Sequence, residues 1–241
     1  MSSAIELGQV VTLVVPAHNR HGMTEALLHS LADVRATYRI LVVDDGSRPP
    51  LAAIRTPPGL RVEFLRRDHS GGPAAARNMG LRKCETPLVG FTDNDVVVTA
   101  GWMEGLARHI TDAPGDVAGV GGRVLHGGDS VIGEYSTRLR LLDPYKHKGR
   151  VAYLVTANCL FRRAALLDVC GFDEAFRLPG GEDPELSFRL LRAGYRLEEE
   201  ASAVVRHFYS PSWLAFARLF YRYGRGCRRA MDSLCPDRRA G

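Results

Sequence analysis

The sequence contains few cysteines, hardly any lysine and no long apolar run, and the first and last of these shortages each exclude a class of protein. Its five cysteines are an odd number without a C-x-x-C pair, which disfavours both a disulfide framework and a zinc ribbon. No apolar run approaches the roughly 18 residues of a membrane span. The first ten residues lack the basic and apolar segments of a secretory signal, so we expect a cytoplasmic protein.

Net charge is also scarce, except at the C-terminal end. Residues 201–241 carry eight arginines and two aspartates, whereas residues 1–200 carry 24 basic and 25 acidic residues. The neutral body disfavours a nucleic-acid-binding protein. The basic end is suited to an anionic partner, either a membrane surface, where the protein would be peripheral, or a phosphorylated acceptor.

Strand-like and helix-like segments alternate through the first half of the 241 residues, of which 45% are apolar. The predicted strands cover 9–16, 38–45, 61–66, 87–95 and 116–125, and the predicted helices cover 24–36, 71–84 and 101–111. Buried strands alternating with helices predict an α/β fold with a mostly parallel, Rossmann-like sheet flanked by helices.

The second half is less regular. Residues 126–150 mix glycine, charge and aromatic residues without periodicity, as a loop region that faces a substrate would. Beyond it we predict a strand at 151–163 and a short helix at 163–171. A glycine-containing loop that enters a helix follows at 178–194, then a strand or hairpin at 196–208 and an amphipathic helix at 211–223.

Polar residues follow three of the predicted strands, at the point where each strand ends. These clusters are Pro16-Ala17-His18-Asn19, Asp44-Asp45-Gly46-Ser47 and Asp93-Asn94-Asp95. The carboxyl ends of parallel strands meet at one edge of the sheet, where ligands of such folds bind. We therefore expect a binding site at this edge.

Two of these clusters carry acids whose function the sequence leaves open. Asp93 and Asp95 form a D-x-D pair that suits a hard divalent cation, with a solvated turn as the alternative. Asp44 and Asp45 either form a turn or accept hydrogen bonds from a base or a ribose.

Two glycine-containing segments precede predicted helices. Gly71 and Gly72 lack the G-x-G-x-x-G order, but they let a ligand approach a helix N-terminus, where Arg77 could face a nucleotide. Ordinary helix capping is the alternative. In the second segment Asp183, next to Glu182, is a candidate general base, and also a candidate N-cap because Pro184 follows it.

Two further features allow opposing interpretations. His207 is a structural histidine or a metal ligand. On the last helix, arginines at 218, 222, 225 and 229 lie opposite an aromatic stripe at 213, 216 and 220, which either packs on the domain or leaves the arginines to bind a partner. Gly224 and Gly226 indicate a helix end or close packing.

Five segments in order, PAHN, DDGS, GGPAAARN, TDND and GGEDPELSFRL, resemble the motifs of family 2 glycosyltransferases with the glycosyltransferase-A fold. The resemblance covers about residues 9–225, and YRYGRG at 221–226 is similar to a segment near the end of many bacterial members. It implies a nucleotide-sugar donor, most commonly a UDP-sugar, a Mn²⁺ or Mg²⁺ cofactor, and inversion at the anomeric carbon of the sugar.

The resemblance also implies a function for each motif residue. The donor site would include Pro16, Ala17, His18, Asn19, Asp44, Asp45, Gly71, Gly72, Arg77, Asp93 and Asn94. Asp95 would ligate the metal, with Asp93 and His207 as further ligands. Asp183 would be the catalytic base, and Glu182 would help to hold the acceptor or the loop.

The same resemblance divides the single domain of 1–241 into a donor part at 9–125, an acceptor and catalytic part at 126–210, and a basic tail at 211–241. The sequence departs from the family at His18, where an aromatic residue is common, and at Arg20, where an acid is frequent. It has no Q-x-x-R-W motif, so we expect one sugar to be transferred per encounter with an unidentified acceptor. A sugar-phosphate nucleotidyltransferase and a non-catalytic binding module are the alternatives.

Overall fold

A computed structural model describes residues 6–208 and 212–234. The helices are α1 Leu7–Val10, α2 His21–Asp33, α3 Pro73–Lys83, α4 Trp102–Asp112, α5 Val131–Arg138, α6 Arg163–Asp168, α7 Glu182–Arg192 and α8 Trp213–Leu234. The strands are β1 Val11–Ala17, β2 Arg39–Asp45, β3 Arg61–Arg67, β4 Leu88–Phe91, β5 Val96–Val98, β6 Val117–His126, β7 Tyr145–His147, β8 Arg150–Tyr153, β9 Cys159–Arg162 and β10 Arg196–His207.

Eight strands form one sheet in the order β3-β2-β1-β4-β9-β6-β10-β5. The first four run parallel, as the alternation of strands and helices predicted. Strand β9 is antiparallel to both of its neighbours, β10 is parallel to β6, and β5 is antiparallel to β10. The predicted α/β class and mostly parallel sheet are therefore confirmed.

Helices cover both faces of the sheet because its central strands are apolar on both sides. In β1, Leu13 and Val15 belong to the core that includes Leu27 of α2, whereas Val14 belongs to the core that includes Leu81 of α3. Each fully buried aliphatic side chain contributes roughly 1.5–3 kcal/mol. This packing fixes the strand ends relative to the helix starts, which is where the predicted site residues lie.

Helix α3 approaches the sheet closely. It begins at Pro73 after Gly72, as the sequence predicted, and it ends with Arg82 and Lys83, whose charges suit the helix C-terminus. A Cβ atom at Gly80 would overlap the side chain of Val14 in β1. The glycine thus brings α3 against β1, and with it Arg77, which lies one turn earlier.

Several predicted boundaries are wrong. The predicted strand 87–95 ends early, at Phe91 of β4, and its D-x-D segment lies in the turn that leads to β5. The predicted strand 151–163 is two strands, β8 and β9. The segment 126–150, predicted to be irregular, holds α5 and the hairpin β7–β8. Helix α5 begins where Ser130 accepts a hydrogen bond from the Gly133 amide, a local N-cap that the surrounding glycines obscure.

The last predicted helix, 211–223, is longer and packs differently than expected. Helix α8 continues through Gly224 and Gly226 to Leu234, while residues 209–211 and 235–241, including Cys235, lie outside the described residues. Its buried side carries Gly226 and Ala230, whereas Trp213 and Phe220 of the predicted stripe are exposed. Within the described ranges no helix combines the length and the apolar character needed to cross a membrane.

Candidate active site

The three strand-end clusters meet at one edge of the sheet, as predicted. The His18 ring nitrogen Nδ1 lies 2.7 Å from the backbone oxygen of Asp45, and the Asn19 amide donates to the Ser47 hydroxyl at 2.7 Å. Arg20 forms an ion pair with Asp95. Pro16 and Ala17 are buried in β1, so His18 and Asn19 are the members of the first cluster that reach the surface.

Asp44 uses both of its carboxylate oxygens inside the protein. They accept hydrogen bonds from the amides of Ser47 and Leu51, at 2.8 and 3.0 Å, and pair with Arg66. Burial acts to raise the pKa of Asp44, but these hydrogen bonds outweigh it and the pKa is lowered. The arrangement favours the turn interpretation for Asp44.

Asp45 ties this turn to the glycines that precede α3. Its carboxylate accepts hydrogen bonds from the amides of Gly71, at 3.0 Å, and Gly72, at 2.9 Å, and lies 2.9 Å from Nε of Arg67. Gly72 has φ +89°, and a Cβ atom there would overlap the carbonyl of Arg177. Glycine is therefore required at position 72 for the loop to reach Asp45.

Arg77 joins two groups of acids that are far apart in the sequence. Its side chain is only 4% exposed, with Nη2 at 3.0 Å from Asp93 and Nη1 at 3.1 Å from Glu182 and 3.9 Å from Asp183. Burial opposes the charge, but the three acids outweigh it and raise the pKa of Arg77, so the guanidinium is always charged. The sequence predicted a contact with a nucleotide, and the structure adds this internal connection.

Asp93, Asp95 and His207 form a cluster whose ligand atoms all lie within 4.8 Å of one another. The Nε2 atom of His207 lies 3.1 Å from Asp95. Two carboxylates and an imidazole are ligands that Mn²⁺ accepts, and carboxylates also suit Mg²⁺, so the residues fit such a cation. Asn94, between the two acids, instead donates to the hydroxyl of Thr24 in α2 at 3.1 Å.

Arg20 and His207 stabilise the ionised form of Asp95 in this cluster. Burial acts to raise the pKa of Asp95, but the charge and hydrogen bond of His207 and the charge of Arg20 outweigh it, and the pKa is lowered. Asp95 in turn raises the pKa of His207 against the effect of burial. Asp95 is therefore held as an ionised carboxylate.

Glu182 and Asp183 begin helix α7, but neither caps it. The N-cap is Gly181, at φ +99° and without a side-chain cap, so the interpretation of Asp183 as an N-cap is wrong. The Asp183 carboxylate instead accepts hydrogen bonds from the hydroxyl and the amide of Thr156, at 2.9 and 3.1 Å. Glu182 accepts one from the amide of Gly180 at 2.6 Å.

The environment of Asp183 disfavours its negative charge. Burial, followed by the charge of Glu182, raises the pKa of Asp183 to about 7, and Arg77 and the Thr156 hydrogen bond oppose this only in part. The side chain remains 15% exposed, so it can still reach a substrate. A carboxylate with a pKa near neutrality can take up a proton at the working pH of a cell.

Two of these contacts could not be predicted from the sequence. Thr156 follows β8 in a segment that was predicted to be strand, and nothing in its neighbourhood marks it as a partner of Asp183. Arg20 drew attention only as a departure from a family pattern, although it contacts Asp95 directly. Both contacts join residues that are distant in the chain, so neither local pattern could indicate them.

Comparison with known proteins adds a family match. Residues 12–169 match the model of glycosyl transferase family 2. The chain is 36% identical over 223 residues to the pre-mycofactocin glycosyltransferase of Mycobacterium tuberculosis, covering 88% of this chain and 46% of that protein. The chain thus spans about half the length of that curated relative. It is also 28% identical to the poly(ribitol-phosphate) beta-N-acetylglucosaminyltransferase TarS of Staphylococcus aureus, covering 65% of this chain and 28% of that protein.

Solved structures with the same fold are glycosyltransferases. The mannosyltransferase PcManGT from Pyrobaculum calidifontis, in complex with GDP-Man and Mn²⁺, superposes with a TM-score of 0.68 at 20% identity, covering 94% of this chain and 64% of that one. GalNAc-T7 with UDP, GalNAc and Mn²⁺ gives a TM-score of 0.62 at 16% identity, with coverages of 89% and 48%. The fold of this chain is the glycosyltransferase-A fold.

Proposed function

The chain belongs to glycosyl transferase family 2, and we propose that it moves one sugar from a nucleoside-diphosphate sugar to an acceptor hydroxyl, with inversion and without processivity. One observation carries the proposal. Arg77 joins Asp93 of the candidate metal cluster to Glu182 and Asp183, and Asp183 has a pKa of about 7. A site for the diphosphate and a candidate proton acceptor thus lie on two sides of one guanidinium.

Direct displacement needs one base, and Asp183 supplies it. The attacking acceptor oxygen forms a bond to the anomeric carbon, the bond to the diphosphate oxygen breaks, and the acceptor proton passes to the Asp183 carboxylate. Thr156 holds that carboxylate by two hydrogen bonds, which keeps its orientation fixed. A positioned base typically gives about 10²–10⁴ in rate.

The donor is held at the edge where the three strand ends meet. Asp93, Asp95 and His207 would hold a divalent cation, which when bound neutralises negative charge on the departing diphosphate. His18 and Asn19 are exposed beside Asp45 and would contact the nucleoside. We assign residues 9–125 to the donor and residues 126–210 to the acceptor and the base, with UDP as the first nucleotide to test.

A nucleotide panel tests the donor part of this proposal. Thermal unfolding is measured with UDP, TDP and GDP, each with and without Mn²⁺. A ligand at 100 times its dissociation constant stabilises a protein by about 2.7 kcal/mol, which is enough to rank the three. We expect one nucleotide to stabilise the protein strongly, and only with Mn²⁺. If none does so, the chain does not bind a nucleotide-sugar donor in this way.

A second test separates an enzyme from a binding module. An enzyme of this kind hydrolyses its nucleotide sugar slowly in the absence of an acceptor, and a chelator abolishes that hydrolysis. A non-catalytic module would bind the nucleotide and release no sugar. Because Asp183 is present with its pKa near neutrality, we expect hydrolysis.

We also propose that the basic helix α8 contacts an anionic group, either on a membrane surface or on a phosphorylated acceptor. Arg218, Arg225 and Arg228 are exposed along it, whereas Arg229 lies over the ring of Phe176. Changing the three exposed arginines to Gln should weaken binding to anionic vesicles or to the acceptor at low salt, with donor hydrolysis unchanged. Unchanged vesicle binding and acceptor kinetics would show that these three arginines do not bind an anionic group.

A further inference from the structure

Helix α8 touches the loop that carries the candidate base, backbone against backbone. A Cβ atom at Gly226 would overlap the carbonyl of Gly180, and a Cβ atom at Gly181 would overlap the backbone of Gly226. Gly180 and Gly181 have φ values of +118° and +99°, which favour glycine. Close packing, rather than a helix end, is therefore what requires glycine at position 226.

The same side of α8 makes three more contacts with this region. A Cβ atom at Gly180 would lie 2.7 Å from the ring of Tyr223, and Ala230 is buried in the core that contains Leu186 of α7. The guanidinium of Arg229 lies 5.1 Å from the centre of the Phe176 ring. Positions 223, 226 and 230 follow one another along one face of a helix. The contact at Gly226 is therefore the middle of a continuous interface.

The backbone that α8 contacts also fixes the two acids. The Gly180 amide donates to Glu182 at 2.6 Å, and the Gly181 carbonyl accepts the hydrogen bond from the Glu185 amide at 3.1 Å that closes the first turn of α7. A shift of residues 180 and 181 would therefore move Glu182 and Asp183. Glu182 is in turn one of the partners of Arg77.

We propose that Gly226 is a positioning residue for the transfer reaction: its backbone contact with Gly180 and Gly181 holds the start of α7 in place, and with it the backbone of Asp183. This inference rests on the proposed function, since it needs Asp183 as the base. We expect the main effect of Gly226 on the acceptor step, because Gly226 contacts residues 180 and 181 and not Asp93, Asp95 or His207.

Gly224 provides a matched control on the same helix. No atom lies within 4 Å of a Cβ placed there, whereas one at Gly226 meets backbone. Gly224→Ala and Gly226→Ala each add one methyl group and increase helix propensity to the same extent. The two variants therefore differ only in the contact with Gly180 and Gly181.

The test compares the two variants by kcat with an acceptor, KM for the donor, and the Kd of the nucleoside diphosphate with Mn²⁺. We expect Gly226→Ala to lower kcat at least 10-fold with KM and Kd within about twofold of the parent, and Gly224→Ala to match the parent. Equal kcat in both variants would overturn the proposal. A parallel loss of nucleotide binding and kcat in Gly226→Ala would also overturn it, because that result indicates general disruption.

The dependence of kcat on pH is a second measurement, and a residue with only a packing role would not change it. The charged and titratable groups that interact with Asp183 include Glu182, Arg77, Asp93, Tyr153 and Cys159. If α8 is displaced, water reaches Asp183 and the apparent pKa of kcat moves toward acid in Gly226→Ala and not in Gly224→Ala. An identical profile in the two variants would contradict this part of the proposal.

Two further variants keep the test decisive. If Gly226→Ala does not fold, Tyr223→Ala removes the ring over Gly180, and it should lower kcat with nucleotide Kd unchanged. A parent-like kcat in Tyr223→Ala would then overturn the proposal. Asp183→Asn is measured in parallel: if it keeps normal turnover, the assigned base is wrong. If Asp183→Asn is inactive and Gly226→Ala has the same kcat as Gly224→Ala, Asp183 remains the assigned base and the positioning role of Gly226 is wrong.

Discussion

The site has two acidic centres, and each depends on an aspartate carboxylate, Asp95 in one and Asp183 in the other. The centres differ in the groups that surround this carboxylate. In the metal cluster, Asp95 contacts Arg20 and His207, and its pKa is lowered. At the start of α7, Asp183 is buried next to Glu182, and its pKa is raised to about 7. Asp95 therefore stays ionised and suits a cation, while Asp183 can exchange a proton. The environment, and not the residue type, separates the two functions.

Arg77 makes these centres parts of one site. Its side chain touches both Asp93 and Glu182, and it lies on α3, which Gly80 brings close to the sheet. Its single positive charge faces three carboxyl groups. This excess of negative charge adds to the effect of burial in raising the pKa of Asp183.

Removing Arg77 should have the largest effect on both centres. Arg77→Met leaves three carboxyl groups without their buried partner, and we expect the free energy of unfolding to fall by about 3–5 kcal/mol. Arg82→Met is the control: this arginine is on the same helix but 62% exposed, and its pair with Glu174 contributes about 1 kcal/mol or less. Denaturant unfolding of both variants measures the difference. Equal losses would show that Arg77 does not hold the centres together.

The raised pKa of Asp183 predicts a pH dependence of opposite sign for activity and stability. Turnover should rise with pH through about 7, because only the ionised carboxylate accepts a proton. Between about pH 4 and 7 the folded metal-free protein binds the extra proton, so its stability relative to Asp183→Asn should fall as pH rises. A stability difference that does not change over this range would mean that Asp183 titrates normally.

A substitution at Arg20 tests how the metal cluster is balanced, and its expected effect is smaller. Arg20→Gln removes one positive charge from beside Asp95 and leaves Arg77, Glu182 and Asp183 in place. Because Arg20 is 57% exposed, we expect only a few-fold tighter binding of Mn²⁺ alone, and no change in the pH dependence of turnover. Calorimetric titration with Mn²⁺ measures the first quantity. Weaker Mn²⁺ binding in the variant would mean that Arg20 does not compete for Asp95.

The sequence was sufficient for those features of the site that depend on local patterns. Apolar runs located β1, β2 and β4, and the polar residues that end them are His18, Asp45 and Asp93. Their convergence follows from the parallel arrangement of these strands. The helix start at Pro73 was equally visible, because proline at a first helical position is a local signal.

Other features depend on packing between distant segments. Arg77 and Glu182 are 105 residues apart, and Thr156 reaches Asp183 across 27 residues. The contact of Gly226 with Gly180 is of the same kind, so the glycines of α8 could be noticed but not interpreted. The D-x-D pair was placed at the end of one long strand because periodicity cannot show that the chain turns before β5.

The central claim is that one centre binds the cation and the other moves the proton. It is tested most directly by measuring Mn²⁺-dependent nucleoside-diphosphate binding and turnover in Asp95→Asn and Asp183→Asn. We expect Asp95→Asn to lose the Mn²⁺ dependence of binding, and Asp183→Asn to bind within about twofold of the parent while turnover falls about 10²-fold or more. Near-normal turnover in Asp183→Asn, or unchanged Mn²⁺ dependence in Asp95→Asn, would contradict the account.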